Sequence, residues 1–187
     1  RKFYGVIMAG IVGLTELQHT NATSAMTISS TGVISQPALP CFHVTKNADQ
    51  SVTDATIEVI TFESVTHGSD NVINQGGLFA SNKFTVTATT TGIYYFYATL
   101  YADSSAATSD SYIYFRKNGS GQLMTAYPAF LGTNYQYQFC LQGMINLNSA
   151  SDYVELVLDC DQASSAALQI NYNSGYHRTE FGGYKIG

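Results

Sequence analysis

The run Ile93-Tyr94-Tyr95-Phe96-Tyr97-Ala98-Thr99-Leu100 constrains the fold more than any other stretch of the chain. Aromatic and β-branched residues dominate it, and such residues favour an extended, pleated backbone. Side chains alternate between the two faces of a strand. Tyr94, Phe96 and Ala98 therefore share one face, and Ile93, Tyr95, Tyr97 and Thr99 share the other. Both faces are apolar or aromatic, so both need cover. A two-sheet sandwich covers one face of each sheet only. The second face calls for another copy of the chain, for a ligand in a groove, or for tyrosines whose hydroxyls face water. Contiguous exposed aromatic patches are rare on monomers. That favours contact between copies and marks Tyr94, Tyr95, Phe96 and Tyr97 as interface residues.

The rest of the chain follows the same pattern. Short runs of Thr, Val, Ile, Tyr and Phe recur between clusters of Gly, Asn, Asp and Ser, and no stretch has a long amphipathic helical period. Strands are expected over 56–62, 84–88, 93–100, 111–116, 135–141, 145–147, 153–159, 167–172 and 181–186, with Cys41-Phe42-His43-Val44 opening the main domain. In the 56–62 strand, Ile57, Val59 and Thr61 oppose Glu58, Ile60 and Phe62, one face being well buried. Asp70 to Phe79 reads as a Gly- and Asn-rich turn region. Lys117-Asn118-Gly119 and Asn148-Ser149-Ala150 are turn signals. The count approaches ten strands, which fits an all-β double-sheet jelly roll. Residues 1–36 form an N-terminal arm ending in a small β-hairpin, with Ser30-Thr31-Gly32 at its turn, and residues 37–187 form the head. Pro37 and Pro40 punctuate the entry.

Composition narrows the function. The chain has 187 residues, of which 45% are hydrophobic, enough for a sizeable core. Only 11% are charged, against about 25% in ordinary soluble domains. Extracellular and virion β proteins commonly look like this. Eight basic and thirteen acidic residues give a net charge of −5 with no basic cluster, which argues against nucleic acid and against acidic membrane surfaces as partners. No stretch reaches the length of a membrane span. Phe3 to Leu14, behind Arg1-Lys2, superficially resembles a signal peptide, but glycines interrupt it and no clear cleavage site follows.

Few residues carry a chemical signature. Cys41, Cys140 and Cys160 make an odd count without a CxxC. That argues against a disulfide framework and leaves room for one bridge beside a free thiol. His19, His43, His67 and His177 lack zinc-ligand spacing and have no spacing relation to an acid. His43 reads as a packed or edge residue. No G-x-S-x-G nucleophile elbow is present, and no enzyme is expected. Tyr127, Tyr135, Tyr137 and Tyr176 offer flat amphipathic faces that suit either glycan recognition or ordinary packing; Tyr127, Tyr135 and Tyr176 are the candidate receptor-loop residues. Asn21-Ala22-Thr23 and Asn118-Gly119-Ser120 are sequons, which matter only in a secreted eukaryotic protein.

From Cys41 to Ile186 the order of motifs resembles the globular head of the C1q/tumour-necrosis-factor family. Phe84-Thr85-Val86 followed by Gly92-Ile93-Tyr94-Tyr95-Phe96 is similar to that family's "F-T-x-P-x-x-G-x-Y-x-F" core, without its proline and with a longer spacer. Ile113 to Gly119 resembles the next strand and its "K-N-G" turn. Leu147 to Val154 resembles "L-x-x-G-D-x-V", with Ser151 in the glycine's place. Phe181-Gly182-Gly183-Tyr184 resembles the closing "F-x-G-[FY]" strand. Ala25-Met26-Thr27-Ile28 and Gly32-Val33 resemble the segment before C1q-like heads in bacteriophage tail-fibre and virion-surface proteins. The resemblance implies a ten-strand jelly-roll sandwich that acts as a homotrimer on a phage particle. Its arm would attach to other virion proteins of the capsid or tail. Capsid decoration and host adsorption through a surface glycan at a tail-fibre tip both fit, and the short arm favours decoration or a short appendage. A secreted eukaryotic recognition protein, a lectin- or cytokine-like trimer, is the alternative. Heads of this family that hold calcium make it the cofactor to consider, with Asp103, Asp110, Asp159 and Asp161 as ligands; Asp159 and Asp161 lie on one side of an extended segment. The alternative for these acids is a polar loop end.

Overall fold

A computed structural model describes residues 14–18, 24–36, 39–63, 72–104, 111–126, 135–161, 168–170 and 178–187, with Ser104 and residues 135–137 described by backbone alone. It divides into two compact units, Arg1–Leu39 and Pro40–Gly187. In the first unit β1 (Glu16–Gln18), β2 (Ser24–Ile28) and β3 (Ile34–Ser35) form one antiparallel sheet in that order. Its second turn is closed by Ser29 N–H to Val33 O at 2.8 Å and by Gly32 N–H to Ser29 O at 2.9 Å. Gly32 takes φ +81°, where a side chain would be strained.

The second unit holds the remaining strands: β4 (Cys41–Thr45), β5 (Gln50–Val52), β6 (Thr56–Val59), β7 (Ile73–Gln75), β8 (Phe79–Ala80), β9 (Lys83–Thr85), β10 (Gly92–Ser104), β11 (Tyr112–Lys117), β12 (Ser120–Ala126), β13 (Tyr135–Leu147), β14 (Tyr153–Cys160), β15 (Leu168–Ile170) and β16 (Glu180–Lys185). All their pairings are antiparallel. The first sheet of this unit has seven strands, in the order β5–β15–β10–β16–β4–β7 with β13 also on β10, and the second has six, in the order β12–β11–β14–β9–β8 with β6 also on β14. Each sheet has one long strand shared end to end by two short neighbours. Along β10, β16 pairs with 94–99 and β15 with 102–104; along β14, β9 pairs with 153–155 and β6 with 157–160.

Alternation explains the core. Tyr94, Phe96, Ala98, Leu100 and Ala102 of β10 are all buried, as are Phe42 and Val44 of β4 and Phe181 of β16. They meet Phe79, Phe84, Ile113, Phe115, Leu156 and Leu158 from the second sheet in one cluster. Phe42 stacks on Phe84 with ring centroids 4.8 Å apart, and Phe115 stacks on Phe181 at 5.6 Å. Burying each such ring contributes about 2–3 kcal/mol.

Several expected boundaries change. Residues 135–147 are one continuous strand rather than two, because β13 pairs with β10 at every position from 92 to 104. The strand at 56–62 ends at Val59, yet Ile60 and Phe62 still enter the core. The strand placed at 84–88 is Lys83–Thr85. Within the supposed turn region, β7 adds an edge strand to β4. β12 and β5 were not anticipated: β12 is largely exposed and interrupted by Gly121, and β5 has three residues.

One clamp ties the turns together. Asp152, 6% exposed, accepts from Asn118 Nδ2 at 2.8 Å and from Ser149 N–H at 3.1 Å, and Lys117 Nζ lies 2.9 Å away. The Asn118 hydrogen bond and then Lys117 hold this carboxyl at about 2. Asn118 Oδ1 in turn accepts from Tyr153 N–H at 2.9 Å. The "K-N-G" and "S-D-x-V" stretches are thus two halves of one contact. Ser151, at φ +74°, occupies the left-handed conformation that a glycine would adopt without strain.

Candidate functional site

The outer face of β4, β16, β10 and β13 carries an aromatic surface. Register aligns three cross-strand rows: Cys41, Tyr184, Tyr95 and Met144; His43, Gly182, Tyr97 and Gln142; Thr45, Glu180, Thr99 and Cys140. Ile93, Met144 and Tyr184 are 43%, 62% and 44% exposed. Tyr95 and Tyr184 pack with ring centroids 5.5 Å apart, and Tyr95 donates to Gln142 Oε1 at 2.6 Å.

Gly182 shapes the middle row. A Cβ there would lie 2.3 Å from Cζ of Tyr97, so the missing side chain lets that ring cross the strand. The Tyr97 hydroxyl thereby comes within 3.0 Å of His43 Nδ1, and His43 Nε2 lies 3.7 Å from Glu180. Burial, and then the Glu180 charge, push the Tyr97 hydroxyl above its ordinary range. Beyond Met144 a groove of about 250 Å³ opens, lined by Lys117, Leu123, Met124, Met144, Ile145 and Asn146.

Of the four expected interface residues, Tyr95 and Tyr97 lie on this outer face. Tyr94 and Phe96 do not: both are fully buried between the sheets, where no second copy can reach them. They belong to the opposite parity of β10, and the Tyr94 hydroxyl is turned inward to donate to Thr90 O at 2.5 Å. Tyr184, Met144 and Gln142 lie on the outer face beside Tyr95 and Tyr97. The alternation of β13 and β16 hinted at these residues, but only the register puts them beside Tyr95.

The expected metal ligands that the structure describes are Asp103, Asp159 and Asp161. Asp103 is on β10 of the first sheet, and Asp159 is on β14 of the second, one residue from Cys160 and two from Asp161. Burial, and then the Asp161 charge, raise the Asp159 carboxyl. The Asp161 backbone is held by Ser111, whose Oγ accepts from Asp161 N–H at 3.0 Å. Among the described residues no group of three or more His, Cys, Asp or Glu could hold a metal ion. Asp110, Tyr127 and Tyr176 lie outside the described residues, and Tyr135 is placed by backbone only, opposite Ser104. No disulfide joins Cys41, Cys140 and Cys160. Among the described residues no helix is long and apolar enough to cross a membrane.

A second polar cluster lies at the other end of β4. Lys46 is 2% exposed. Its Nζ donates to Thr61 O at 2.7 Å and to Thr61 Oγ1 at 3.0 Å, and stands 3.4 Å from both Gln50 Oε1 and Glu63 Oε1. Desolvation lowers the Lys46 ammonium, opposed by the Glu63 charge. Burial works to raise the Glu63 carboxyl, but the Asn47 N–H and the Lys46 charge outweigh it and leave it low.

No family model matches the chain, and no curated protein matches it either.

Proposed function

We propose that this chain is a non-enzymatic structural protein of a bacteriophage particle surface. In this reading Pro40–Gly187 is a C1q-like jelly-roll head, assembled as a homotrimer through the outer face of β4, β16, β10 and β13. The residues before it attach the trimer to other virion proteins, where it decorates and stabilises the capsid. The observation that carries the reading is the band in which exposed Tyr184 and Met144 flank half-buried Tyr95, with exposed Ile93 beside it. Apolar patches of this kind mark sites of association.

Two further features support it. Two antiparallel sheets of seven and six strands, with the chain passing repeatedly between them, suit a jelly roll. The motifs that resemble the C1q family fall at structurally demanding places, the Asp152 clamp and the Gly182–Tyr97 contact.

The test is Tyr95→Asp. A carboxylate in the middle of a covered apolar band is left buried without a partner. The variant is expected to sediment as a folded monomer and to lose its hold on particles. A Tyr95→Asp protein that keeps the wild-type mass would remove this face from the assembly.

A further inference from the structure

The Lys46 cluster brings together a buried amine, a half-buried carboxamide and a carboxylate at its solvent edge. Lys46 leaves the end of β4, Gln50 opens β5, and Thr61 and Glu63 follow β6. Thr61 N–H donates to Gln50 Oε1 at 2.9 Å, and the Thr61 hydroxyl stands 3.1 Å from that same oxygen. These are the donors that a carbonyl oxygen needs as it takes up negative charge. Gln50 Nε2 is held by Val59 O at 3.0 Å, which fixes the plane of the amide. Glu63 Oε1 lies 3.4 Å from the amine and 3.1 Å from the Thr61 hydroxyl, and its other oxygen is anchored by Asn47 N–H at 3.1 Å.

We propose that Lys46 and Gln50 join in an intramolecular isopeptide bond, formed by the folded chain itself. The Lys46 amine is 3.4 Å from the Gln50 carbonyl oxygen, and the carbon it attacks is one bond further on. Nζ adds to Cδ of Gln50 while the Thr61 donors hold the oxygen. Glu63 takes the proton from the attacking nitrogen and passes it to Nε2. The Cδ–Nε2 bond then breaks and ammonia leaves. One amide is exchanged for another, so no oxidant, reductant or co-reactant is consumed. Burial protects the new bond from hydrolysis.

The experiment is mass spectrometry of the denatured full-length chain with tryptic mapping. The expected result is a loss of about 17 Da, the mass of the ammonia released. Trypsin should also fail to cut after Lys46, leaving residues 3–83 as one peptide. Glu63→Gln, with an unchanged circular dichroism spectrum, should restore the full mass and the cut; Lys46→Arg serves as the second variant. An intact mass equal to that of the sequence in the folded protein would overturn the proposal. So would a loss of about 17 Da mapped to a succinimide at Asn118-Gly119, or a loss of about 18 Da joining Lys46 to Glu63.

Discussion

A carboxylate held at about 2 and 6% exposed has a stability consequence with a definite sign. Asp152 is depressed in the folded state, so its contribution is complete above the unfolded value of about 4 and is lost as pH falls from there towards about 2. Urea unfolding at pH 6 and pH 2 should show the wild type losing about 1–2 kcal/mol more than Asp152→Asn over that window. At pH 6, Asp152→Asn should itself cost about 1–3 kcal/mol, since an amide N–H would meet Lys117 or the Ser149 N–H donor to donor. Equal pH dependence in the two proteins would show that the clamp is idle. The sequence displayed both halves of this contact as separate turn signals. It did not display their meeting, because residues 117–118 and 152 are joined by strand pairing and not by local spacing.

At the scale of the element, β10 is readable because its composition and alternation agree, and Tyr94, Phe96 and Ala98 do share one face. What alternation cannot say is which parity meets the core. Both faces of β10 read as apolar, so Tyr94 and Phe96 were grouped with Tyr95 and Tyr97 as interface residues. The opposite sheet decides between them, and that is a long-range fact. β12 escaped notice for the converse reason: an exposed edge strand with Gly121 inside it has no apolar period to detect. The entry to β10 depends on Gly92, at φ +150°, where a Cβ would lie 2.2 Å from the backbone oxygen of Gly187. Gly92→Val should therefore displace the Ile93–Gly187 hydrogen bond, 2.7 Å in the native protein, and cost about 2 kcal/mol or more. In calorimetry that is a fall of roughly 4–8 °C for a chain of this size. An unchanged melting temperature would mean that the strand entry accommodates the side chain.

At the scale of the molecule, the proposed assembly rests on one strand with two apolar or aromatic faces. The inner face is covered by the second sheet of the same chain, through Phe84, Phe115 and their neighbours. The outer face has polar anchors that fix its rings in place, Tyr95 on Gln142 and Tyr97 on His43, and an apolar fringe that stays open. Rigid aromatic side chains bury large area at little entropic cost, which suits an interface between copies. Closed threefold symmetry would bury this face on every subunit at once. The direct measurement is the native mass of the full chain by multi-angle light scattering. Three copies of the 20.2 kDa chain give about 61 kDa, and this mass is expected, persisting on dilution. A single species of about 20 kDa would contradict the account, leaving the Tyr95 and Tyr184 face open to solvent.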